Sequence, residues 1–426
     1  MLRLALLLAL VVAALGLVAV RPASAQVSPT VADGGVENKF PGGMVFRVST
    51  QSDSPIQRIR LHYTVLPDGT AASTEADFQP ATSVSTSFTL EGNNPPRIYL
   101  PPGTTIRYHW EVTDADGDTA ATQPATFFYD DIRFRWTSLE EDGITVYYYS
   151  GSERDAQAML TEAGKTIASV CKLLGVSVNF PVKVWIYRSV QEMRPALARR
   201  SETFEQSVTT AGVRVSSDTV LVLGNVSFIT LRHELTHVVT AVAGEGPFGS
   251  LPAWLDEGTA VYGQGDPGGY REALNRAVAH SNLLSIRSIS SYPGDPAKVD
   301  LFYGQSWGLV SYLIDEHGAE KFARLFAEIK SGKRTDEALM SAYGFDQDGL
   351  EDEWRASLGL APRQEPSPSE TPQPTATKAP PVSSRPGPNE DGGGTSTWVI
   401  VGVALGVAAL AGVVGLAGLA LARRMR

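Results

Sequence analysis

The chain has 426 residues, with 36 Lys and Arg against 46 Asp and Glu, and a formal net charge of −10. This length exceeds one ordinary hydrophobic core, so two or more domains are expected. Hydrophobic residues make up 43% of the sequence, which excludes wholesale disorder, and the acidic charge argues against nucleic acid as a partner. The single cysteine, Cys171, excludes an internal disulfide framework and a zinc cluster built from several cysteines.

Residues 1–25 have the pattern of a secretory signal peptide. Arg3 precedes an apolar run from Leu4 to Val20, and Ala23-Ser24-Ala25 supplies the small residues of a cleavage site. An uncleaved N-terminal anchor is the alternative interpretation.

The C-terminal end has the pattern of a membrane anchor. Residues 398–422 carry no charge and are long enough, at about 1.5 Å per residue, to cross a bilayer core of about 30 Å as one helix. Residues 361–397 are rich in Pro, Ser, Thr and Gly, which predicts a disordered stalk. Residues 423–426 include three arginines and predict a cytoplasmic tail. We therefore expect a single-pass protein of the cell membrane whose ectodomain lies outside the cell.

Residues 26–130 indicate an all-β domain. Short segments rich in β-branched and aromatic residues are separated by turn signals that contain Pro, Gly, Asp and Asn. Several such strands in about 100 residues predict an immunoglobulin- or fibronectin-like sandwich. The predicted strands are Met44–Thr50, Ile56–Val65, Ser85–Glu91, Thr105–Val112 and Ala125–Tyr129.

Two polar features of this domain invite a metal hypothesis. The segment Asp114–Asp118 fits either a hairpin turn or a calcium loop, and the turn is favoured because the later Glu of an EF-hand is missing. His62 and His109 lie in separate alternating strands, where we expect ordinary strand residues rather than metal ligands.

Residues 131–360 have a mixed pattern, which predicts a second domain of α+β class. Helical spacing over Glu153–Leu174 ends at Gly175, and Cys171 lies on the apolar side of that helix, so a buried thiol is expected. The chain is mainly helical from Ser227 to about Leu358. The predicted strands are Ile132–Trp136, Ile144–Tyr149, Val182–Tyr187 and Val220–Leu223, with Glu140–Gly143 as a turn.

The sequence His233-Glu234-Leu235-Thr236-His237 lies in a helix that we expect to begin at the N-cap Ser227 and to end at Gly244. Positions four apart share a helix face, so both imidazoles can bind one Zn²⁺ at about 2.0–2.1 Å. Glu234 lies beside that face, where it can approach a water molecule without becoming a ligand.

A catalytic zinc site usually takes three protein ligands, so a third is expected nearby. Glu257 follows on a second predicted helix that starts near Pro252, and a short loop can fold this helix back against the first. Asp256 is a rival third ligand. On a helix it points about 100° away from Glu257, so the two carboxylates cannot bind equally well.

The His-Glu-x-x-His sequence, followed by Trp254-Leu255-x-Glu257-Gly258-x-Ala260, resembles the gluzincin branch of zinc metallopeptidases, and most closely the peptidase MA-like domains of bacterial secreted proteins. The resemblance implies a zincin-like catalytic domain over residues 131–360. It also implies one Zn²⁺ per chain on His233, His237 and Glu257, with Glu234 as general base. Related enzymes often stabilise the oxyanion with a Tyr or His donor; Tyr303 is the first candidate here and Tyr262 the second.

The sequence therefore predicts a membrane-anchored extracellular zinc metallopeptidase that acts on a peptide or protein substrate. Peptide bonds would be cleaved by a zinc-activated water molecule, with a Glu as general base. An extended substrate is expected to pair with an edge strand, either Thr209–Val215 or Thr219–Gly224. The alternative is a catalytically inactive zinc-binding adhesion or binding protein displayed at the cell surface.

Overall fold

The computed structural model describes residues 29–67, 69–92, 99–198, 212–224, 228–246 and 250–363. The chain divides into two compact units, one with the described residues up to Leu100 and Thr104–Asp130, the other with Pro101–Gly103 and the described residues from Asp131 on. The predicted signal peptide, membrane helix, cytoplasmic tail and nearly all of the predicted stalk lie outside the described residues. Within the described ranges, no helix has both the length and the apolar character needed to cross a bilayer.

The first unit contains two antiparallel sheets. One has the strand order β1-β2-β5, and the other has the order β4-β3-β6-β7 with β8 also paired to β6. All five predicted strands are confirmed, while β1, β4 and β7 escaped prediction because their mostly exposed sequences lack a clear apolar alternation. The strands are β1 Thr30–Asn38, β2 Gly43–Gln51, β3 Ile56–Leu66, β4 Thr70–Glu75, β5 Ser83–Glu91, β6 Thr104–Asp114, β7 Thr119–Ala121 and β8 Ala125–Tyr129.

The two sheets of the first unit share a core. The ring of Phe46 on β2 meets the ring of Tyr108 on β6 edge-on, with centroids 5.0 Å apart. Ile59, Leu61 and Trp110 are completely buried. Alternate residues of β3 and β6 therefore face inward, as the sequence predicted. The more specific assignment to the immunoglobulin or fibronectin class stays a prediction.

Asp114 organises a turn, as predicted. Its Oδ1 accepts hydrogen bonds from the backbone N–H groups of Asp116 and Asp118, at 3.1 and 3.0 Å, and its Oδ2 accepts one from Ser52 at 2.6 Å. Both oxygens of the Asp114 carboxylate thus hold local structure, which supports the predicted turn. His62 and His109 form a stacked pair across β3 and β6, with ring centroids 4.7 Å apart.

The second unit begins with a five-stranded sheet of order β12-β13-β11-β10-β9. The three inner strands, β10, β11 and β13, are parallel, and the two outer strands are antiparallel to their neighbours. Helix α1 begins at a capping box formed by Ser152 and Asp155 and ends at Gly175, which has φ +65°, so this predicted helix is confirmed. The elements are β9 Thr137–Glu141, β10 Ile144–Tyr148, α1 Glu153–Leu174, β11 Val182–Tyr187, α2 Val190–Met193, β12 Gly212–Arg214 and β13 Thr219–Leu223.

The predicted strand Ile132–Trp136 is wrong, and β9 begins only at Thr137. The reason is local hydrogen bonding around the buried Asp131. Its carboxylate accepts the backbone N–H of Arg133 at 3.1 Å, and its carbonyl accepts the indole N–H of Trp136 at 2.8 Å. An Asp that bonds to its own neighbours favours a turn over a strand ladder. The hairpin that follows turns at Asp142 and Gly143, later than expected.

The rest of the second unit is helical, as predicted. The expected end of the first of these helices at Gly244 is confirmed, whereas the expected N-cap Ser227 lies outside the described residues. Short 3₁₀ turns at Ile286–Ser290 and Pro296–Lys298 precede α6. The helices are α3 Phe228–Gly244, α4 Ala253–Gly263, α5 Gly269–Ala279, α6 Val299–His317, α7 Ala319–Lys330, α8 Thr335–Ala342 and α9 Gln347–Ser357.

Helix α3 is buried on two sides. Leu231, Leu235 and Val238 pack with the buried valines of β11 and β13. Val239 and Ala243 pack into a second cluster formed largely by the later helices. A helix packed on both sides by close-packed side chains holds its remaining residues in fixed positions. Cys171 is half-buried against the second cluster, and burial raises the pKa of its thiol.

Candidate metal centre

Helices α3 and α4 bring three potential metal ligands together. His233 and His237 lie one turn apart on α3, and Glu257 lies on α4; all three side chains are buried. The two Nε2 atoms are 3.2 Å apart, Oε2 of Glu257 is 3.2 Å from Nε2 of His233, and Oε1 is 3.6 Å from Nε2 of His237. One ligand atom from each residue lies within 4.8 Å of the other two.

These distances fit a tetrahedral zinc site. Ligand atoms at 2.0–2.1 Å from a tetrahedral zinc ion are separated from one another by about 3.3 Å. The closest ligand pairs of the site, at 3.2 Å, match this edge length. Two imidazoles and one carboxylate are also the donor set of known catalytic zinc sites.

Gln264 determines which nitrogen of His233 faces the site. Its Oε1 lies 3.1 Å from Nδ1 of His233, while its Nε2 donates to the backbone carbonyl of Asp266 at 2.7 Å. Because the amide nitrogen is used in this way, the amide oxygen must face the imidazole and can only accept. Nδ1 of His233 therefore carries the proton, and Nε2 presents a lone pair to the site.

The carboxylate of Asp256 faces Nδ1 of His237 and favours a proton on this nitrogen. Its Oδ1 lies 3.0 Å from Nδ1 of His237 and accepts the hydroxyl of Thr240 at 2.6 Å. The predicted rival ligand thus lies on the side of the His237 ring away from the site. Burial alone would lower the pKa of His237, but the carboxylates of Asp256 and Glu257 raise this pKa well above its usual range. Both carboxylates favour a positive charge at this point.

With an acceptor facing each Nδ1, the Nε2 atoms of both histidines and a carboxylate face one another across the site. Such a group repels itself unless a proton or a cation lies between its members. The pKa of Glu257 is lowered, because its two histidine neighbours outweigh the effect of burial, so this carboxylate is charged. The chemistry of this donor set fits a divalent metal ion.

Glu234 lies next to these three residues but is not one of them. Its Oε2 accepts a hydrogen bond from the backbone N–H of Arg214 on β12, at 2.9 Å. Burial raises the pKa of Glu234, and the two histidines only partly offset this rise. A carboxylate with a raised pKa is a better proton acceptor than an exposed one.

Strand β12 approaches α3 closely because it begins with a glycine. A Cβ atom at Gly212 would lie 2.6 Å from Cγ2 of Thr230 and 3.0 Å from Cγ of Glu234. Among the described strands, β12 lies at the edge of its sheet and β13 does not, so the structure favours the first of the two predicted edge strands. Of that segment, Thr209–Ala211 lies outside the described residues.

The structure brings Tyr303 to the site. This residue of α6 is buried, its ring centroid is 6.2 Å from that of His233, and it stacks on Tyr270 of α5 at 4.9 Å. Burial and the carboxylates of Glu257 and Glu234 raise the pKa of Tyr303 well above its usual range, so its hydroxyl stays a donor. Burial and the carboxylate of Asp315 raise the pKa of Tyr262, the second candidate, and the carboxylates of the site do not contribute to this rise.

Sequence reasoning missed several residues that contact the site. Gln264 lies seven residues after Glu257, two helical turns on, so helical spacing was a usable signal for it. Thr240, whose hydroxyl donates to Asp256, likewise lies three residues after His237 on the motif helix. Tyr292, whose hydroxyl donates to Oε1 of Glu257 at 2.5 Å, comes from a loop and has no signal in the sequence.

Residues 142–359, just over half of the chain, match the sequence model of the Peptidase MA superfamily. The chain belongs to this superfamily. The predicted resemblance to the gluzincin-type, peptidase MA-like family is thereby confirmed. A comparison with curated proteins gives no match.

Solved structures offer weaker likenesses. The M1 zinc metallopeptidase of Deinococcus radiodurans is 12% identical, with 78% of this chain and 93% of that chain covered and a TM-score of 0.33. An aminopeptidase N family protein of Idiomarina loihiensis is 8% identical, with 72% and 70% covered and a TM-score of 0.32. OgpA of Akkermansia muciniphila is 17% identical over 24% of this chain, with a TM-score of 0.19, and the chain spans only 29% of OgpA. At these TM-scores the likenesses support no conclusion about fold or function.

Proposed function

We propose that the protein is a zinc metallopeptidase that hydrolyses peptide bonds, with one Zn²⁺ per chain held by His233, His237 and Glu257. The observation that supports this most strongly is the convergence of the Nε2 atoms of His233 and His237 and a buried carboxylate, 3.2 Å apart at the closest pairs. A zinc ion held there supplies Lewis acidity, which makes a water molecule a competent nucleophile at neutral pH.

The chain's own residues supply the proton transfers. Glu234, with its pKa raised by burial, accepts the proton of the attacking water and passes it to the leaving amine. The backbone N–H of Arg214 holds one of its oxygens and so orients the other. Tyr303 donates its hydroxyl to the oxyanion that develops on the scissile carbonyl.

A peptide or protein is the proposed substrate, bound in an extended conformation. The support is the position of β12 at the edge of its sheet, with Arg214 on this strand bonded directly to Glu234. A peptide that adds a strand there gains main-chain hydrogen bonds next to the general base.

We also propose that the enzyme acts outside the cell from a membrane anchor. The support comes from the sequence pattern: an apolar stretch at 4–20 with a small-residue cleavage site, and an uncharged stretch at 398–422 followed by arginines. The chain is expected to stay with the membrane fraction after a high-salt wash. A chain that ends at residue 397 is expected in the medium. Recovery of the complete chain in the soluble cytoplasmic fraction contradicts this topology.

Glu234→Gln tests the enzymatic function. The variant keeps the size of the side chain but cannot accept a proton, so it is expected to bind zinc as the parent does and to lose at least 100-fold in kcat on a mixed peptide library. Glu320→Gln, at an exposed position of α7, is the control and should cleave at the parent rate.

Two results contradict the proposal. Cleavage by Glu234→Gln at the parent rate removes Glu234 from the mechanism. A parent chain that binds one zinc ion but cuts no peptide or protein in the library instead supports the zinc-binding adhesion or binding protein.

A further inference from the structure

The two oxygens of Glu257 have different surroundings. Oε1 accepts a hydrogen bond from the hydroxyl of Tyr292 at 2.5 Å. Oε2 is buried 3.2 Å from Nε2 of His233 and accepts no hydrogen bond from any residue that the structure describes. A buried, charged oxygen without a donor is costly, unless a ligand outside the protein chain satisfies it.

We infer that Tyr292 is a positioning residue, which holds Oε1 of Glu257 so that Oε2 alone is presented to the metal. The inference rests on the proposed zinc site and goes beyond it, because it assigns single-oxygen ligation and names the residue that enforces it. A carboxylate held at one oxygen can no longer turn about its terminal bond to offer both oxygens to the metal or to leave the site.

The segment that carries Tyr292 is firmly held. The amide of Gln305 on α6 bonds both the N–H and the C=O of Leu284, and Glu351 on α9 accepts the N–H of Ile286 at 2.9 Å. Ile286 and Ile289 are buried in the helical core. The position of the loop that carries Tyr292 is thus set by α6 and α9, which do not carry the metal ligands.

The ring of Tyr292 is fixed as well. It packs against Phe302 of α6, with centroids 5.1 Å apart. Its hydroxyl, like that of any tyrosine near neutral pH, is protonated, and it donates to Oε1 of Glu257. Tyr292 therefore has the fixed position and the permanent donor that a partner of a metal ligand needs.

Two tyrosine hydroxyls near the site have separable roles. Tyr292 touches a metal ligand, whereas Tyr303 is proposed to touch the substrate. Removal of the Tyr292 hydroxyl should weaken metal binding even without substrate, and removal of the Tyr303 hydroxyl should leave metal binding as it is. A difference in zinc affinity between the two Phe variants therefore reports on positioning and not on a general loss of structure.

The test is the zinc dissociation constant of the complete chain, measured without substrate by competition with a chromophoric chelator. Tyr292→Phe keeps the ring and its packing, and is expected to bind zinc 10- to 100-fold more weakly than the parent. Tyr303→Phe and Tyr343→Phe are the controls. The Tyr343 hydroxyl is buried without a partner among the described residues, so its loss should not change zinc affinity.

A second readout is the visible spectrum of the chain loaded with Co²⁺ in place of zinc. Loss of the hydroxyl frees Oε1, so the spectrum of Tyr292→Phe should shift toward a higher coordination number, with lower absorption. Melting temperatures of the metal-free variants show whether Tyr292→Phe still folds. If it does not, the zinc-loaded parent decides alone: its crystal structure should show only Oε2 of Glu257 at about 2.0–2.2 Å from the metal, with Oε1 on the Tyr292 hydroxyl, and two oxygens at bonding distance would overturn the inference.

The outcomes separate the inference from the proposed function. A parent chain that binds zinc, with Tyr292→Phe at the parent affinity and an unchanged cobalt spectrum, overturns the role of Tyr292 and leaves the metallopeptidase standing. A parent chain that binds no zinc overturns both.

Discussion

Gly258 determines how closely α4 approaches α6, and replacing it should disturb both the fold and the metal site. A Cβ atom at this position would lie 2.3 Å from the carbonyl oxygen of Ser306 and 2.7 Å from a methyl group of Val310. Ordinary contact begins at roughly 3.4 Å, so Gly258→Ala forces the two helices apart by about 1 Å. Overpacking of this kind costs about 1–3 kcal/mol. Glu257, the adjacent residue, moves with its helix.

Gly164→Ala is the matched control. This glycine lies inside α1, and a Cβ atom there would meet only Cδ1 of Ile144, at 3.9 Å. Both substitutions gain the same helix propensity, about 0.5–1 kcal/mol. The difference between the two variants therefore isolates the cost of overpacking.

The assay is chemical denaturation of both variants and the parent, together with the zinc dissociation constant. Gly164→Ala should match or exceed the parent in unfolding free energy, with unchanged zinc affinity. Gly258→Ala should lie about 1–3 kcal/mol below Gly164→Ala and bind zinc at least 10-fold more weakly. Equal stability and equal zinc affinity of the two variants would refute the close packing that positions Glu257.

Two further predictions concern charged groups. Asp256→Ala removes the carboxylate that faces Nδ1 of His237, so zinc affinity should fall by about 10- to 100-fold in chelator competition; an unchanged affinity would show that His237 needs no such partner. Arg287→Met removes the hydrogen bonds that lower the pKa of Asp348 below 3.8. The free energy that these hydrogen bonds add to the folded state is fully present above the ordinary pKa of Asp348, and it is lost as the pH falls through the lowered pKa. Between pH 5 and 2 the parent should therefore lose more unfolding free energy than the variant. The difference should stay under about 1 kcal/mol because the pair is exposed.

The elements with strong local signals were predictable. Helix α1 has apolar spacing, a capping box and a terminal glycine, and these local preferences agree with its packing. The motif helix α3 likewise ends at its predicted glycine, Gly244. The segment Ile132–Trp136 failed because its β-branched and aromatic composition suggests a strand, while the carboxylate of Asp131 organises a turn there. Strand β12, with three residues, lies inside the segment Thr209–Val215 that was predicted as a possible edge strand.

The residues that form the site were more predictable from the sequence than the residues that hold them in place. His233, Glu234 and His237 follow from helical spacing, and the 100° offset on α4 indicated that Asp256 and Glu257 would diverge. The carboxylate of Asp256 contacts Nδ1 of His237, and this contact depends on how α4 crosses α3. The sequence does not report that crossing. The contact of Tyr292 with Glu257 joins a loop to a helix 35 residues away, and nothing in either local sequence reports it.

The position of the metal tests the zinc site most directly. Crystals of the zinc-loaded chain, measured on both sides of the zinc absorption edge, should show one anomalous peak per chain, about 2.0–2.1 Å from Nε2 of His233, Nε2 of His237 and Oε2 of Glu257. Asp256 should remain on Nδ1 of His237, outside bonding distance of the peak. A peak on Asp256 in place of Glu257, or no peak near the two histidines in a zinc-saturated crystal, would contradict the proposed metal site and the peptidase function built on it.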